Sequence, residues 1–598
     1  VTRATSSRSV DIPRMEDVPV GNAAAQDACP HLAAGLAFWH DPGTWPSGVV
    51  PPANGSNFSL PGNTHVLITS CSLDGGVYGE ITIPSDSSLV FSDSDISLHT
   101  NGIMNDGELL AGSPTCRLRG HVNIALHGAR VFGQGPSYKG IASTNKLSLH
   151  GALYHPTWTL LAASAAAGDD HIFTQECVNW EAGQEVVVTT SQWKDSRDFN
   201  RNDVLEISAV ECVSVDSHGQ LGLVNFTAPM AYGHYAGLYS YQAEVGLLSR
   251  RVIISGFSED SLPTDDTPVA CSDDNGRVEF FPCEDTFMTG FGGHVIVMGG
   301  VGWVSGVQFF RMGRTNQLGR YPLHFHLLGE GGVDSYATDN AVVESYFRCI
   351  VIHGTNNMLV SRNVMFDAIG NCLYFEAGVE ENNTVTYNLG AHVHTVGRPI
   401  IDGGQNLDNI EGGPNLLVPA DKAAAPFYIT NAYNTLVGNA ASGGFVGFSF
   451  VGLEEPIEEY RGSSMVPQDR PILRFDGNTA HSTAFFWNLA GGIYFGGNLY
   501  YKNASTSVLV YNGGRDLSRG RKPKHDDGSD AWLQLSNTKL ALVAVGITDW
   551  AVRSEHRRLE VFDVMDRSLN VFGDVWLDDV YVECRSTNNL VVDVRGWG

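Results

Sequence analysis

Arg320-Tyr-Pro-Leu-His-Phe-His326-Leu-Leu-Gly329, followed by Cys349-Ile-Val-Ile-His353-Gly354 and Cys372-Leu-Tyr-Phe-Glu376-Ala377, is the stretch that decides the architecture. Leu323-His-Phe-His326 aligns with Ile350-Val-Ile-His353 at an offset of 27, and Cys349 aligns with Cys372 at an offset of 23. Asn-led turns open several units: Asn340-Ala-Val-Val, Asn357-Met-Leu-Val, Asn383-Thr-Val-Thr and Asn434-Thr-Leu-Val. Gly443-Gly-Phe-Val-Gly-Phe448 and Gly491-Gly-Ile-Tyr-Phe495 echo the pattern further on. Units of roughly 20–30 residues with short strands and Asn or Gly corners predict a parallel β-helix, each coil hydrogen-bonding to the last. The competing β-sandwich calls for cleaner apolar/polar alternation joined by hairpin turns.

Working outward, residues 1–35 are polar without a clear period and read as an N-terminal arm. From Leu36 short β-runs begin, among them His65–Ser70, Ser88–Ser92 and Val122–Leu126, parted by turns such as Asn105-Asp106-Gly107. Val186–Thr190 and Asp203–Val210 continue the series, and the acidic stretch Ser258–Asp274, with two prolines, reads as a long excursion. The expected organisation is an arm (1–35), an N-terminal β domain (36–165), a β connection with the acidic loop (166–290), β-helix repeats (291–510) and C-terminal β coils (511–598).

Composition agrees with an all-β chain. Of 598 residues 67 are Gly and 17% are charged, and the Lys and Glu that long helices favour are scarce. At 64.5 kDa the chain invites two to four domains. The longest apolar runs, Leu160–Gly168 and Leu540–Ile547, fall short of the ~18 residues of a membrane span. A net charge of −28 repels phosphate backbones and anionic lipid, which disfavours nucleic acid and direct membrane binding. Anionic polysaccharide is disfavoured too unless a basic patch or bound cation offsets the field.

Ten cysteines contain no C-x-x-C, so a zinc ribbon or thioredoxin-type site has no support. The even count, with N-x-[S/T] acceptors at Asn54, Asn57, Asn225, Asn382 and Asn503, points to an oxidising, extracellular or cell-surface setting. The start at Val1, without a charged and then apolar leader, is expected of a trimmed product. Coils ~4.8 Å apart lie within disulfide reach, so Cys349 and Cys372 can bridge; two buried, stacked thiols satisfy the same spacing.

Several of these residues resemble a known family. Trp39-His-Asp-Pro-Gly-Thr-Trp45-Pro-Ser-Gly48, Gly107-Glu-Leu-Leu-Ala-Gly112 and Ala125-Leu-His-Gly128 resemble the eight-glycine domain, and Leu149-His-Gly151 with Trp180-Glu-Ala-Gly continues the likeness. Arg320-Tyr-Pro-Leu-His-Phe-His326 with Val351-Ile-His-Gly-Thr-Asn356 is similar to the parallel β-helix that follows that domain in cell-migration-inducing hyaluronidase, its transmembrane homologue and fibrocystin. The resemblance covers about residues 36 to 500. It implies a right-handed parallel β-helix carrying an eight-glycine β domain. It extends to hyaluronan-degrading members and to surface proteins of no known catalysis, so function has to come from the site.

On a β-helix, residues at equal offsets stack into a stripe. His326, His353 and Glu376 share one register, His324 points the same way as His326, and Arg320 lies just upstream. Imidazoles and a carboxylate so placed can bind a divalent cation, zinc or calcium. They can also serve as acid and base at a glycosidic bond, or form an internal hydrogen-bonded ladder with no chemistry. Where the relatives read Gly-His and Glu-Asp-Gly in this coil, the chain has Gly370-Asn371-Cys372 and Glu376-Ala377-Gly378, which removes two proton-handling groups. The expectation is therefore a structural or carbohydrate-interacting matrix, coat or surface protein, with polysaccharide, other coat proteins or its own copies as partners. The alternative is a hyaluronidase-like depolymerase acting through Arg320, His324, His326, His353 and Glu376. Weaker candidates are the basic run Arg515–His525, a looser set of Arg311, Arg314 and Arg320 for a uronate, aromatics Trp39, Trp45, Tyr500 and Tyr501 for stacking on sugars, and the acidic pairs Asp265-Asp266 and Asp526-Asp527.

Overall fold

The computed structural model describes residues 29–131, 133–192, 195, 200–214, 220–237, 241–257, 290–315, 317–394, 424–453, 455–483 and 491–495. It also describes short pieces at 261, 269–270, 282–283 and 396, and strands between 533 and 595. Asn503, the basic run, both acidic pairs, Tyr500 and Tyr501 lie outside the described residues.

The chain winds into a parallel β-helix with three strands per coil. One face runs through His294–Val297, Leu323–Gly329, Ile350–Thr355, Leu373–Phe375, Phe427–Ile429 and Phe448–Phe450, each paired in parallel with the next. A second runs through Val301–Ser305, Tyr336–Thr338, Leu359–Ser361 and Thr384–Thr386. The third runs through Val307–Phe310, Ala341–Ser345, Val364–Ile369 and Leu389–His394. The N-terminal β unit is not a separate body. Its strands Gly140–Ser143 and Lys146–His150, and Val252–Gly256 from the following connection, pair directly with the first strand of each face. Trp39 and Trp45 are buried edge to edge with Phe58 and Tyr78 at the first coils, so they serve packing, not sugar stacking.

Alternation along each strand sends Leu323, Phe325, Ile350, Ile352, Leu373 and Phe375 into a continuous apolar core. The corner between the second and third faces is where the Asn pattern acts. Asn340, Asn363, Asn388, Asn439 and Asn478 stack one per coil, each amide Nδ2 donating to the next Oδ1 at 2.8–3.0 Å. Each Oδ1 also accepts the preceding asparagine's own N–H at 3.0 Å, and each Nδ2 also donates to a backbone carbonyl one coil back, at 2.9–3.1 Å. The residue before each is left-handed: Asp339, Arg362, Tyr387, Gly438 and Gly477 have φ of 53–66°. Asn383 and Asn434 form a second stack at another corner. Asn357, part of the same sequence pattern, instead faces outward and donates to Glu330.

A six-stranded antiparallel module, from Trp158–Leu160 to Glu244–Leu247, is inserted between Lys146–His150 and Val252–Gly256. Its own core centres on Val186, Val188, Ile207 and Val224. It docks on the outside of the third face, where Trp158 and Val187 pack against Val343, Val364, Phe366 and Leu389. The Trp158 indole donates to Tyr387 O at 2.6 Å and Thr157 to Arg362 O at 2.6 Å.

Cys349 and Cys372 are disulfide-bonded with Cα atoms 4.6 Å apart, and Cys29–Cys116 and Cys177–Cys212 are bridged as well. Among the described residues no helix is long and apolar enough to cross a membrane.

Asn363 sits mid-ladder, so Asn363→Ala leaves partners in two neighbouring coils unsatisfied. We expect a loss of about 3 kcal/mol in unfolding free energy, on the scale of two or three orphaned buried groups. A urea midpoint displaced no further than that of Asn357→Ala, whose side chain is outside the ladder, would show that the ladder is not stabilising.

Candidate functional site

The side chains left over by the core alternation of the first face point outward. Leu323 and Phe325 go in, so His324 and His326 go out. Parallel pairing sets His326 opposite His353, and Glu376 N donates to Ile352 O at 3.1 Å, which keeps Glu376 in step one coil further on. The stripe expected from the offsets is thus assembled from three consecutive coils. The rings of His324 and His353 are parallel within 2°, with centroids 5.7 Å apart, and His326 meets His353 edge-on at 4.8 Å. His326 Nδ1 lies 3.1 Å from His353 Nδ1.

This outer face is not open sheet. The segment 455–473 straps across it, with short 3-10 turns at Glu458–Tyr460 and Pro467–Asp469. Ile457 N donates to Ala377 O at 2.9 Å, and Arg470 clasps Glu381 through two bonds of 2.6 and 3.0 Å. Gly354, at φ 52°, leaves the space that the Tyr460 hydroxyl fills, since a Cβ there would stand 2.4 Å from that oxygen. Glu458 itself is left-handed at φ 56°. That backbone strain brings its carboxylate to 3.2 Å from His353 Nε2, with the Glu459 carboxylate at 2.9 Å. Neither is aligned for a hydrogen bond.

Glu376 is held by one oxygen only. Its Oε1 accepts from the Tyr321 hydroxyl at 2.7 Å and from Arg348 at 3.4 Å. Its Oε2 lies 3.6 Å from His324 Nε2 and 3.5 Å from His353 Nδ1, without a hydrogen bond. His324 is fully buried, and neither ring nitrogen makes a well-aligned hydrogen bond, the Gly319 backbone being the polar neighbour of the ring. Burial, then the neighbouring imidazoles, push His324 well below the usual histidine range; the same causes lower His326, which is half-buried. Burial, and after it the Glu376 carboxylate, push the Glu458 carboxyl up to about 7. Burial holds the Tyr321 phenol well above its ordinary value, so it is a hydroxyl donor.

His324, His326, His353 and Glu376 are therefore brought together, and Arg320 is not. Its guanidinium donates to Gln134 O at 3.3 Å. Arg314 is buried against Phe291, and Arg311 is paired with Glu344 at 2.7 Å, so the looser arginine set offers no free patch to a uronate. Asn371 accepts from Ala425 N at 2.9 Å and ties adjacent coils. Glu458, Glu459, Tyr321 and Arg348 were not singled out from sequence. Tyr321 lies inside the quoted Arg320–His326 string. The glutamates lie in Glu454-Glu-Pro-Ile-Glu-Glu459, an acidic run in an excursion that breaks the repeat, and that break is the available signal. Of the glycan acceptors, Asn54, Asn57 and Asn382 are exposed, whereas Asn225 is half-buried within the strand Gln220–Phe226.

Two family models match the chain: the G8 domain over residues 44–162 and the CEMIP beta-helix over residues 290–486. A G8 domain-containing protein of Dictyostelium discoideum is 42% identical over 574 residues, covering 94% of this chain and 38% of that protein. Protein rliB of the same organism is 41% identical, covering 94% and 47%. Fibrocystin-L of Homo sapiens is 29% identical over 427 residues, covering 67% of this chain and 9% of that protein. The chain thus spans less than half the length of each of these relatives.

Gly354→Ala adds a Cβ against Tyr460 in a left-handed conformation that costs a non-glycine residue about 1–2 kcal/mol. The expected outcome is faster hydrogen exchange at Ile457 and its neighbours in the strap, with the ladder amides unchanged; equal exchange in both regions would mean that the strap does not depend on this contact. In a eukaryotic secretory host, glycopeptide mapping should find Asn54, Asn57 and Asn382 modified and Asn225 bare, and the reverse pattern would contradict the coil register.

Proposed function

The chain belongs to the G8-domain, CEMIP beta-helix family, and on that premise we propose that it works outside the cell as a carbohydrate-interacting surface or matrix protein. The polymer is engaged along the first face, at the edge formed by His326 and Glu459. The disulfides and the exposed acceptors Asn54, Asn57 and Asn382 support an extracellular setting. A stacked solenoid presents an extended surface suited to an extended chain.

One observation carries the reading. A ladder that exists only for stability closes its hydrogen bonds, as the asparagines do. The histidine stack one face away leaves the His324 ring and Glu376 Oε2 without a well-aligned hydrogen bond. Buried polar groups in that state cost about 1–3 kcal/mol each, a cost that function, not packing, accounts for. The net charge of −28, with Arg311 and Arg314 already engaged, favours a neutral or sparsely charged glycan over a polyanion.

Cleavage is the second reading, and one feature favours it. Ligating oxygens of Glu376 and Glu458 and a nitrogen of His353 lie within 4.8 Å of one another, so two carboxyl groups and an imidazole face the same point, as acid and base at a glycosidic bond require.

The test is a panel of labelled polysaccharides, neutral glucans and galactans beside hyaluronan and pectate, assayed for retention and for chain length. Retention of a neutral polymer, weakened about tenfold, ~1.4 kcal/mol, in His326→Ala, is the expected result. Retention of none would end the carbohydrate reading. Chain shortening that disappears in Glu458→Gln would assign cleavage in place of binding.

A further inference from the structure

Beyond carbohydrate engagement, we propose that His324, His326, His353 and Glu376 form a binding site for a divalent transition metal of the zinc class. The four donor atoms are His324 Nε2, His326 Nδ1, His353 Nδ1 and Glu376 Oε2. The measured edges between them are 3.1 Å (His326 to His353), 3.5 Å (His353 to Glu376) and 3.6 Å (His324 to Glu376). Ligands at the ~2.0–2.1 Å bonds of tetrahedral zinc stand about 3.4 Å apart, so these three edges match zinc-ligand spacing; the three imidazoles form one cluster and Glu376 joins it through His353 and His324.

The donor chemistry selects the ion. Three imidazoles and one carboxylate oxygen suit zinc and its neighbours and are foreign to calcium, which takes six to eight oxygens. The surrounding residues match what a metal needs from its outer shell. Glu376 Oε1 is fixed by Tyr321 and Arg348, which leaves Oε2 aimed at the imidazoles. His353 presents Nδ1 inward, while its Nε2 lies at ion-pair distance from Glu458 and Glu459. The same site accounts for His324 Nε2 and Glu376 Oε2, buried atoms that face each other at 3.6 Å without forming a hydrogen bond.

The two clusters with ligand-like spacing that lie elsewhere among the described residues are closed by their own bonds. Among Asp367, His392 and His394, His394 Nε2 is 2.8 Å from Asp367 Oδ1, and His392 Nδ1 is 2.8 Å from Asp195 Oδ1. Cys29 and Cys116, near His31, are joined in a disulfide.

The test uses the whole 598-residue chain without a histidine tag. It is stripped with a chelator, dialysed, and titrated with zinc chloride or with cobalt(II), whose visible absorption reports tetrahedral nitrogen and oxygen ligands. One equivalent bound, with a tetrahedral cobalt spectrum, is the expected result. His326→Ala, at the half-exposed ligand, should remove that equivalent. Tyr321→Phe keeps the ring but frees the Glu376 carboxylate, and should weaken affinity about 10–100-fold, as loss of an outer-shell partner does. Thermal melts of the stripped proteins separate loss of metal from loss of fold; should His326→Ala melt early, Tyr321→Phe carries the decision. Failure of the wild-type chain to take up one equivalent overturns the site. Unchanged binding in both variants overturns it equally and moves the metal elsewhere. Metal content is the readout, so the result does not depend on whether a polysaccharide binds.

Discussion

Every coil of this chain must turn corners in which backbone amides and carbonyls are sealed from water by the coil above. A buried polar group left unmatched costs about 1–3 kcal/mol, and a solenoid repeats that liability at each turn. The asparagine stack at residues 340, 363, 388, 439 and 478 answers it, because one amide carries both donors and acceptor and so links the coil before to the coil after. The left-handed residue ahead of each asparagine sets the corner's shape; glycine supplies it at 438 and 477, and the buried Asp339–Arg362 ion pair, with bonds of 2.7 and 2.8 Å, accompanies it two coils earlier. Once that corner is fixed, strand register follows on all three faces.

Register in turn builds the site. A slip of one residue between Leu323–Gly329 and Ile350–Thr355 would turn His353 into the core and carry Ile352 outward. The apolar core therefore fixes the imidazoles indirectly, by fixing what alternates with it. The third face buries its outer side under the antiparallel module, whose Trp158 and Val187 seal it. The first face buries its outer side under the strap, which brings carboxylates instead of apolar side chains. Two outward faces of one helix thus receive opposite covers, and the polar one holds the histidine cluster.

The parts of this arrangement that repeat were legible in the sequence. The offsets of 27 and 23 placed His326, His353 and Glu376 in one stripe, and pairing of His326 with His353 follows that reading. The Asn-led turns marked corners, although Asn357 shares the pattern and faces solvent, since tripeptide context does not say which corner an asparagine occupies. What does not repeat was not legible. Glu458 and Glu459 arrive on a strap with no period, and only the three-dimensional crossing puts them beside His353. Arg311, Arg314 and Arg320 looked like a cluster, and Arg314 and Arg320 do lie side by side, yet each is engaged by a partner of its own: Glu344, Tyr138 O and Gln134 O. The N-terminal β unit was marked by its likeness to the eight-glycine domain, and its strands continue the faces of the helix.

The two polar stacks also differ for a reason internal to their side chains. An asparagine amide projects donor and acceptor along the helix axis, toward the coils on either side, and so closes on itself however long the ladder grows. An imidazole has one donor and one acceptor on a rigid ring. Where the rings lie parallel, as His324 and His353 do within 2°, their in-plane nitrogens cannot hydrogen-bond to each other. Adding a carboxylate one coil away, as Glu376 does, does not close the stack, since one of its oxygens is already committed to Tyr321 and Arg348. Repetition of asparagine yields a strut, whereas repetition of histidine at the same spacing yields a concentration of unspent donors. The fold makes both by one device, and the residue type at the register position decides which stack closes its own hydrogen bonds.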